Sequence, residues 1–327
     1  MRILVINLAS IGDGIMRTPL TQALKTIYSS AKIDMLVVPA VKPIAEMDVN
    51  VDNVIVYDKK NVDSGIKGIV SMARRLRREH YDLAVCTNYA LRGALISWLA
   101  GIKRRCGYNA QHAQLFLTDT VDKHPCIQYE AKNQLRVLAP LSSQQFDSST
   151  SLVVSVTDIK YVNEQIFIDD SAKKIIFCPL SNFENRSLTI SKGKDLLRSL
   201  CRLGTVFIIG SSAQREVLDK INSGKQAVVL AGNLSLTQLA ALIKAADVML
   251  SVDTGPMHMA VALKTKTVGL FGANHPDLWG ADNENTKNFY AGVKCSPCWG
   301  RIDDCDKKCL EIIDNSAIIN AVKEMLA

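Results

Sequence analysis

Two short segments of the sequence place reactive side chains directly after an apolar, strand-like run. In the first, Ser10-Ile-Gly-Asp-Gly14 follows Ile3–Leu8 and precedes a helical pattern. Gly12 and Gly14 allow a tight turn and close approach to a ligand, which places Asp13 at the edge of a binding site. A carboxylate there repels phosphate but suits a general base acting on a hydroxyl. Helix capping is the commoner function of an aspartate at such a position, so spacing alone leaves both interpretations open.

The first turn matches neither of two familiar nucleotide-binding motifs. The dinucleotide motif G-x-G-x-x-G needs a third glycine where this chain has Arg17. The Gly-Lys-Ser/Thr ending of a phosphate-binding P-loop is missing as well. The sequence therefore argues against a P-loop protein and against an NAD(P)-dependent oxidoreductase.

The second segment is Val248–His258, where a buried strand runs into the turn Asp253-Thr-Gly-Pro256. Pro256 suits the first position of a helix, because its φ angle is preset and it has no amide proton to lose. The free amides of the first turn, at Met257 and His258, predict an anion site for which a diphosphate is the natural occupant. A capped helix with a core histidine explains the same residues, so the local sequence leaves both interpretations open.

Strand-like runs alternate with helical patterns along most of the chain. The alternation begins at Ile3–Leu8, stops at the polar, serine-rich segment Ser142–Ser151, and restarts at Ile175–Cys178. Such alternation implies parallel strands with helical crossovers, a doubly wound α/β sheet. Because 327 residues correspond to about two domains, we predict two Rossmann-like domains, residues 1–146 and 147–327. Ligands would bind at the carboxyl ends of the strands, in a cleft between facing domains.

Composition excludes several classes of protein. With 48% hydrophobic and 22% charged residues, the chain resembles a soluble globular protein and not a disordered or fibrous one. A net charge of +7 suits an anionic partner, but 6% aromatic residues and the lack of a recognition motif argue against nucleic acid. The N-terminal apolar run is too short for a signal peptide, and no stretch approaches the ~18 apolar residues of a membrane span. We therefore expect a cytoplasmic protein.

Basic residues suggest two anionic contacts. The densest positive run is Arg74-Arg-Leu-Arg-Arg78, which on a helix usually forms a solvated face. With the positive net charge it also suits an anionic leaflet, where each nearby basic residue contributes ~1 kcal/mol. This predicts peripheral contact with the inner face of the cytoplasmic membrane. Arg92 follows the strand Leu83–Cys86, and we predict that it contacts an anionic acceptor.

Nine cysteines are present, and four of them form the pattern C-x2-C-x6-C-x3-C near the C-terminus. Thiolates at this spacing could hold structural Zn²⁺ or an iron–sulfur cluster, whereas disulfides or free thiols explain the pattern equally well. These four are Cys295, Cys298, Cys305 and Cys309. We expect the other five to pack as free thiols: Cys86, Cys106, Cys126, Cys178 and Cys201.

The sequence resembles the bacterial heptosyltransferase-type glycosyltransferases, glycosyltransferase family 9. The resemblance rests mainly on Ile11-Gly12-Asp13, Asp253–His258 and Leu270-Phe271-Gly272, and it extends over nearly the whole chain. It implies a GT-B fold of two facing Rossmann-like domains, the first binding the acceptor and the second the nucleotide sugar. It also implies inverting sugar transfer without a catalytic metal or other cofactor. The donor would be a nucleotide-diphosphate sugar, typically ADP-heptose, and the acceptor an anionic glycolipid, the lipopolysaccharide core.

The resemblance assigns functions to individual residues of this chain. Asp13 would be the base that deprotonates the acceptor hydroxyl. Thr254 and Gly255 would present backbone groups to the diphosphate. Asp253 and His258 would lie at the sugar-phosphate end of the donor, with Met257 in the same donor-binding turn.

The chain departs from the family pattern after the first strand of the second half. Pro179 is followed by Leu180 where the family usually has Pro-Gly, and Asn185–Leu188 replaces the usual Lys-x-Trp. Arg186 is our candidate for the phosphate-binding cation, because its planar fork can bind phosphate bidentately; a solvated loop arginine is the alternative. Glu216 is a candidate for a ribose contact, or else a residue of an exposed helix face.

One alternative function belongs to a different class. A non-catalytic, regulatory protein that binds a nucleotide sugar would keep the diphosphate turn at Asp253–His258 without needing Asp13 as a base. Substitution of Asp13 by asparagine therefore distinguishes the enzyme from the binding protein.

Overall fold

The computed structural model describes residues 1–122, 127–166, 172–299 and 305–327. Cys126 therefore lies outside the described residues. The chain divides into two compact units, Met1–Val153 and Val154–Ala327. None of the described helices is both long enough and apolar enough to cross a bilayer.

The first unit contains a six-stranded parallel sheet flanked by helices. Its strands are β1 (Arg2–Asn7), β2 (Lys32–Val37), β3 (Asn53–Val56), β4 (Leu83–Cys86), β5 (Arg104–Tyr108) and β6 (Asp119–Val121). Its helices are α1 (Ile11–Ile15), α2 (Thr18–Ile27), α3 (Lys42–Glu46), α4 (Gly65–Arg77), α5 (Leu91–Leu99) and α6 (Glu130–Leu135). Short 3₁₀ turns occur at Pro39–Val41, Ala113–Phe116 and Arg136–Leu138.

The second unit repeats this architecture with its own six-stranded parallel sheet. Its strands are β7 (Lys174–Cys178), β8 (Thr205–Ile208), β9 (Val228–Val229), β10 (Val248–Val252), β11 (Thr267–Phe271) and β12 (Thr286–Tyr290). Its helices are α7 (Val156–Gln165), α8 (Ile190–Leu200), α9 (Arg215–Ile221), α10 (Leu236–Ala245), α11 (Gly255–Ala262), α12 (Pro276–Trp279), α13 (Lys308–Glu311) and α14 (Asn315–Leu326). Further 3₁₀ turns occur at Glu184–Arg186 and Ser212–Gln214.

Apolar residues on both faces of the central strands explain why these segments pair in parallel. Leu4 and Ile6 of β1 belong to one hydrophobic cluster, while Ile3 and Val5, which point to the opposite face, are fully buried as well. Helices must therefore cover both faces of the sheet. In the register of the sheet, Val5 of β1 lies between Met35 of β2 and Val85 of β4.

The strand order determines where a ligand can bind in each unit. The orders are β3-β2-β1-β4-β5-β6 and β12-β11-β10-β7-β8-β9. The direction in which successive strands are added to the sheet reverses between β1 and β4 in the first unit and between β10 and β7 in the second. Ligands of such sheets bind outside the carboxyl ends of the strands at this reversal. Asp13 follows β1 and Asp253 follows β10, so each predicted turn lies at the reversal point of its own sheet.

The serine-rich segment is attached to the first unit. The backbone N–H of Ser151 donates to Thr18 Oγ1 at 3.0 Å, and the N–H of Val153 donates to the carbonyl of Met47 at 2.9 Å. These bonds explain why the first unit extends to Val153, beyond the polar segment.

Candidate functional site

Asp13 lies in the first helical turn after β1, as part of a capping box. Ser10 is the N-cap of α1, and Asp13 is the third helical residue. The Ser10 hydroxyl donates to Asp13 Oδ2 at 2.6 Å, and the Ser10 N–H donates to the same oxygen at 3.2 Å. Asp13 thus supports the cap without being the N-cap itself, and its side chain remains 26% exposed. Capping through one oxygen leaves Oδ1 available for chemistry.

Gly14 is required by packing and not by a ligand. A Cβ atom at this position would come within 2.8 Å of the Val41 side chain and 3.6 Å of Asn7 Nδ2. The expectation that Gly14 leaves room for a ligand is therefore wrong, because neighbouring protein atoms fill that space. The glycine lets α1 lie close to the end of β1.

Arg17 is the cation beside Asp13, and no pattern in the sequence indicated this function. Its side chain is 2% exposed, and Nη1 lies 3.4 Å from Asp13 Oδ1. The same nitrogen donates to the backbone carbonyl of Asp13, and Nε donates to Thr87 Oγ1 at 2.6 Å. Burial alone would raise the pKa of Asp13, but the Arg17 guanidinium and the hydrogen bonds from Ser10 more than offset it, so the pKa is lowered. Asp13 is thereby kept ionised, as a base must be.

A second carboxyl group lies within electrostatic range of Asp13. Glu130, on α6, is 8% exposed and accepts hydrogen bonds from Gln134 and Asn133. Burial raises the pKa of Glu130 despite these bonds, and the charge of Asp13 contributes to the rise. The pKa values of the two carboxyl groups are therefore shifted in opposite directions, which favours the ionised form of Asp13 and the protonated form of Glu130.

Arg92 lies at the carboxyl edge of the first sheet, beside a second cation. Its Nη1 donates to the hydroxyl of Tyr57 at 3.1 Å, and Lys59 Nζ donates to the carbonyl of Leu8 at 2.7 Å. The pKa of Lys59 is lowered by burial and by the charges of Arg92 and Lys60. Three cations thus meet close to the Asp13 turn, and Lys59 and Lys60 were not identified from the sequence.

The turn after β10 can bind an anion, but the amides that it leaves free are not the predicted ones. Thr254 is the N-cap of α11, and Gly255 and Pro256 are its first two residues. The N–H groups of Met257 and His258 both donate to the carbonyl of Thr254, at 3.0 and 3.4 Å. The prediction that these two amides are free is therefore wrong. Within the described part of the chain, the Gly255 N–H has no hydrogen-bond acceptor, so it is the amide that can contact an anion.

Asp253 is the centre of a buried polar network. Its Oδ1 lies 3.4 Å from His258 Nε2, and its Oδ2 accepts a hydrogen bond from Asn274. Arg186 Nη1 lies 3.8 Å from Oδ2. The Asp253 side chain is 4% exposed and His258 is 4% exposed overall, so the histidine is buried but belongs to a polar site and not to an apolar core.

Several polar atoms of this network lack a partner. Arg186 Nε, His258 Nδ1 and Asn185 Oδ1 are buried without a hydrogen-bond partner among the described residues. Buried polar groups are normally paired, so the unpaired atoms of Arg186 and His258, both beside Asp253, indicate a polar ligand. The Arg186 guanidinium also stacks 4.5 Å above the ring of Phe183, which holds it in the site.

Glu216 lies in the first turn of α9, after β8. Its Oε1 accepts a hydrogen bond from Lys220 Nζ at 2.7 Å, and its side chain is 80% exposed. The hydrogen bond and the charge of Lys220 lower the pKa of Glu216. The position after a strand agrees with a ribose contact, which stays a prediction.

The four C-terminal cysteines do not form a metal-ligand set. Among the described residues, no group of three or more His, Cys, Asp or Glu side chains could hold a metal ion. Burial raises the pKa of the Cys309 thiol to about 11, with contributions from Cys305, Cys295 and Cys298, so the thiols are neighbours. They lie at different depths, however, since Cys309 is buried and Cys295 is exposed. The structural Zn²⁺ or iron–sulfur site expected from the spacing is therefore not supported.

Comparison with known proteins identifies the family. The family model for glycosyltransferase family 9 (heptosyltransferase) matches residues 69–309. Lipopolysaccharide heptosyltransferase 3 of Escherichia coli K12 is 28% identical, with 96% of this chain and 95% of the relative covered.

Two solved structures share the fold. A glycosyl transferase of family 9 from Veillonella parvula superposes with a TM-score of 0.90 at 20% identity, covering 99% of this chain and 97% of its own. The E. coli ADP-heptose lipopolysaccharide heptosyltransferase II superposes with a TM-score of 0.84 at 22% identity, covering 100% and 98%. The predicted α/β, GT-B fold class is thereby confirmed. Since the family model matches well over half of its residues, the chain belongs to glycosyltransferase family 9, the heptosyltransferases.

Proposed function

We propose that this protein is an inverting glycosyltransferase that moves heptose from ADP-heptose to a lipopolysaccharide core acceptor. The observation that carries the proposal is the carboxylate of Asp13, which faces the Arg17 guanidinium at 3.4 Å and lies at the reversal point of the first sheet in a chain of this family. The relative from E. coli K12 is named a lipopolysaccharide heptosyltransferase, which supports the acceptor class. The similar E. coli structure is that of an ADP-heptose lipopolysaccharide heptosyltransferase, which supports the donor.

The proposed reaction needs one base and one stabilised leaving group. Asp13 Oδ1 accepts the proton of the acceptor hydroxyl while the hydroxyl oxygen forms a bond to the anomeric carbon of the donor sugar. The bond between the anomeric carbon and the diphosphate oxygen breaks, so ADP leaves and the configuration inverts. No cofactor enters this scheme.

The donor residues of the second unit would hold the diphosphate. Arg186 supplies the cation and the Gly255 amide supplies a hydrogen-bond donor at the positive end of α11. His258, oriented by Asp253, offers its unpaired Nδ1. Charge developing on the leaving diphosphate is then met by groups that are already in place, which is the usual source of electrostatic catalysis. Glu216 is proposed to bind the ribose.

The acceptor would bind in the first unit, residues Met1–Val153. Lys59, Lys60 and Arg92 are close to one another, and the bond from Lys59 to Leu8 ties them to the strand that leads into the Asp13 turn. Such a cluster suits phosphate or carboxylate groups on the glycolipid.

A nucleotide-sugar panel tests the proposed function. We expect ADP-heptose to raise the melting temperature more than GDP- or UDP-sugars do, because a ligand at ~100 times its Kd stabilises a protein by about 2.7 kcal/mol. The same protein should then add one heptose to a heptose-deficient lipopolysaccharide core, detected by mass spectrometry. Stabilisation by ADP-heptose without transfer to any core acceptor would favour the regulatory, non-catalytic alternative.

We also propose that the first unit binds an anionic bilayer through the segment Lys60–Lys67 and helix α4. Val62 and Ile66 are 88% and 80% exposed. The cations of this surface are exposed and have no acidic partner among the described residues: Lys60, Lys67, Arg74, Arg75 and Arg78. In contrast, Arg2, Lys25 and Arg104 of the same unit are ion-paired. Apolar side chains surrounded by unpaired cations fit an anionic lipid surface.

Vesicle binding tests this surface. Reversing Arg74 and Arg75 to Glu should reduce co-sedimentation with phosphatidylcholine/phosphatidylglycerol vesicles about tenfold or more, because each basic residue contributes ~1 kcal/mol. Neutral phosphatidylcholine vesicles should bind the wild-type protein weakly. The matched control reverses Arg198 and Arg202, which are exposed in the second unit. Equal losses in the two double variants would mean that net charge, and not this surface, drives binding.

A further inference from the structure

Arg17 is an unusual residue to find inside this unit. It is 2% exposed and is one of the largest fully buried side chains in the described chain. Removing a guanidinium from water is energetically costly unless its hydrogen bonds are well satisfied inside the protein. An apolar residue would pack in the same space without that cost, so stability alone gives a weak reason for an arginine here.

The guanidinium bonds connect three parts of the first unit. Nη1 binds the Asp13 carbonyl and faces its carboxylate. Nε donates to Thr87 Oγ1 at 2.6 Å, and Nη2 donates to the Thr87 carbonyl at 3.3 Å. The Thr87 hydroxyl donates in turn to the carbonyl of Ile6 at 2.9 Å. One side chain thus ties the Asp13 turn to the carboxyl ends of β1 and β4, the two strands at the reversal point.

We infer that Arg17 is a positioning residue for Asp13: its guanidinium fixes the Asp13 carboxylate and backbone against the carboxyl ends of β1 and β4. This inference rests on the proposed function of Asp13 as the base. Arg17 does not touch the substrate in this scheme and acts only through Asp13. The planar fork makes both contacts at once, which a lysine cannot do.

Several other groups near Asp13 also act on its carboxylate, and their effects can be compared with that of Arg17. Ser10 donates to Oδ2, Glu130 on α6 brings a carboxyl group into electrostatic range, and Tyr89, after β4, lies within range of Asp13 and Arg17. Arg136 also acts on Tyr89. Among these groups, Arg17 contributes the largest lowering of the Asp13 pKa. Without it, burial raises that pKa unopposed by a paired cation.

Three variants separate charge from position. Arg17→Met removes both, so the acid limb of the kcat/KM pH profile should move to higher pH and kcat should fall about a hundredfold, the usual effect of a small misplacement. Arg17→Lys keeps a cation, so its acid limb should stay nearer the wild-type value while kcat falls. Thr87→Val keeps Arg17 but removes one anchor, and should lower kcat without moving the limb.

The outcomes distinguish positioning from a purely structural function. Circular dichroism measures the folded fraction, and kcat is expressed per folded molecule. Wild-type kcat in Arg17→Lys and Thr87→Val, or an unmoved acid limb in Arg17→Met, would overturn the inference. If Arg17→Met does not fold, the other two variants decide by their kcat. Asp13→Asn is run in parallel, because an active Asp13→Asn enzyme refutes the proposed base itself, whereas an inactive one with unaffected Arg17 variants refutes only the positioning function.

Discussion

Replacing Asp13 by asparagine is expected to lower kcat for heptose transfer about a hundredfold to ten-thousandfold, the usual contribution of a general base. Asparagine has the same shape and can still accept the hydrogen bonds from Ser10, so the turn should fold. Its amide cannot take the proton of the acceptor hydroxyl. Steady-state transfer from ADP-heptose to a lipopolysaccharide core measures kcat, and thermal shift with ADP should show unchanged donor binding.

The pH dependence of the wild-type enzyme follows from the same carboxylate. Because the folded-state pKa of Asp13 is lowered, the base should remain ionised below the usual range for aspartate. Transfer should be lost only as the pH falls through that lowered value, so the acid limb is expected at unusually low pH.

The matched control is Asp122→Asn, an exposed carboxylate in the same unit that accepts a 3.0 Å hydrogen bond from Asn109. It should leave kcat unchanged. Transfer by Asp13→Asn within threefold of the control, a margin of about 0.6 kcal/mol, would exclude Asp13 as the base. Glu130 would then be the next carboxyl group to replace, because it lies within electrostatic range of Asp13.

The turns that carry the candidate site could be located from sequence because they combine local signals. A short apolar run followed by glycine and a polar residue marks the end of a parallel strand and the start of a helix. This holds for Asp13 after β1 and for Asp253 after β10. The strand β5 was not predicted, because Arg104 and Arg105 interrupt its apolar pattern at the amino end of the strand, where Arg104 is exposed.

The partners of these residues could not be predicted, because they come from distant parts of the chain. Thr87 lies 70 residues from Arg17, and Asn274 lies 21 residues from Asp253. In the sequence Arg17 was informative only as the residue that broke a glycine motif. Register between β1 and β4 brings it to Thr87, and no local pattern encodes that pairing.

The cysteine spacing is the opposite case, because a local sequence pattern suggested a metal site that the described part of the fold does not support. Ligand spacing is necessary for a metal site, but the side chains must also converge on one point in tetrahedral geometry. Cys309 packs beside Gly272, where a Cβ would come within 2.6 Å of its sulfur, while Cys295 stays at the surface. The thiols are neighbours, but they differ in burial, which the spacing does not specify.

Replacing Arg186 by methionine is expected to weaken ADP binding about tenfold to a hundredfold, the equivalent of one charge-assisted hydrogen bond or somewhat more. Methionine keeps the length of the side chain and its packing on Phe183 but removes the cation. Asp253 keeps His258 and Asn274 as partners, so the buried carboxylate is not left unpaired. Isothermal titration with ADP measures the dissociation constant.

Adenosine provides the decisive comparison, because it shares the base and ribose of ADP but lacks the diphosphate. If Arg186 binds phosphate, Arg186→Met should reduce the affinity for ADP and leave the affinity for adenosine unchanged. The control variant Arg198→Met removes an exposed arginine that pairs with Asp195 at 3.4 Å and should change neither. Equal losses for ADP and adenosine would mean that Arg186 supports the shape of the site and does not bind the phosphates, and the diphosphate charge would then depend on the Gly255 amide and His258.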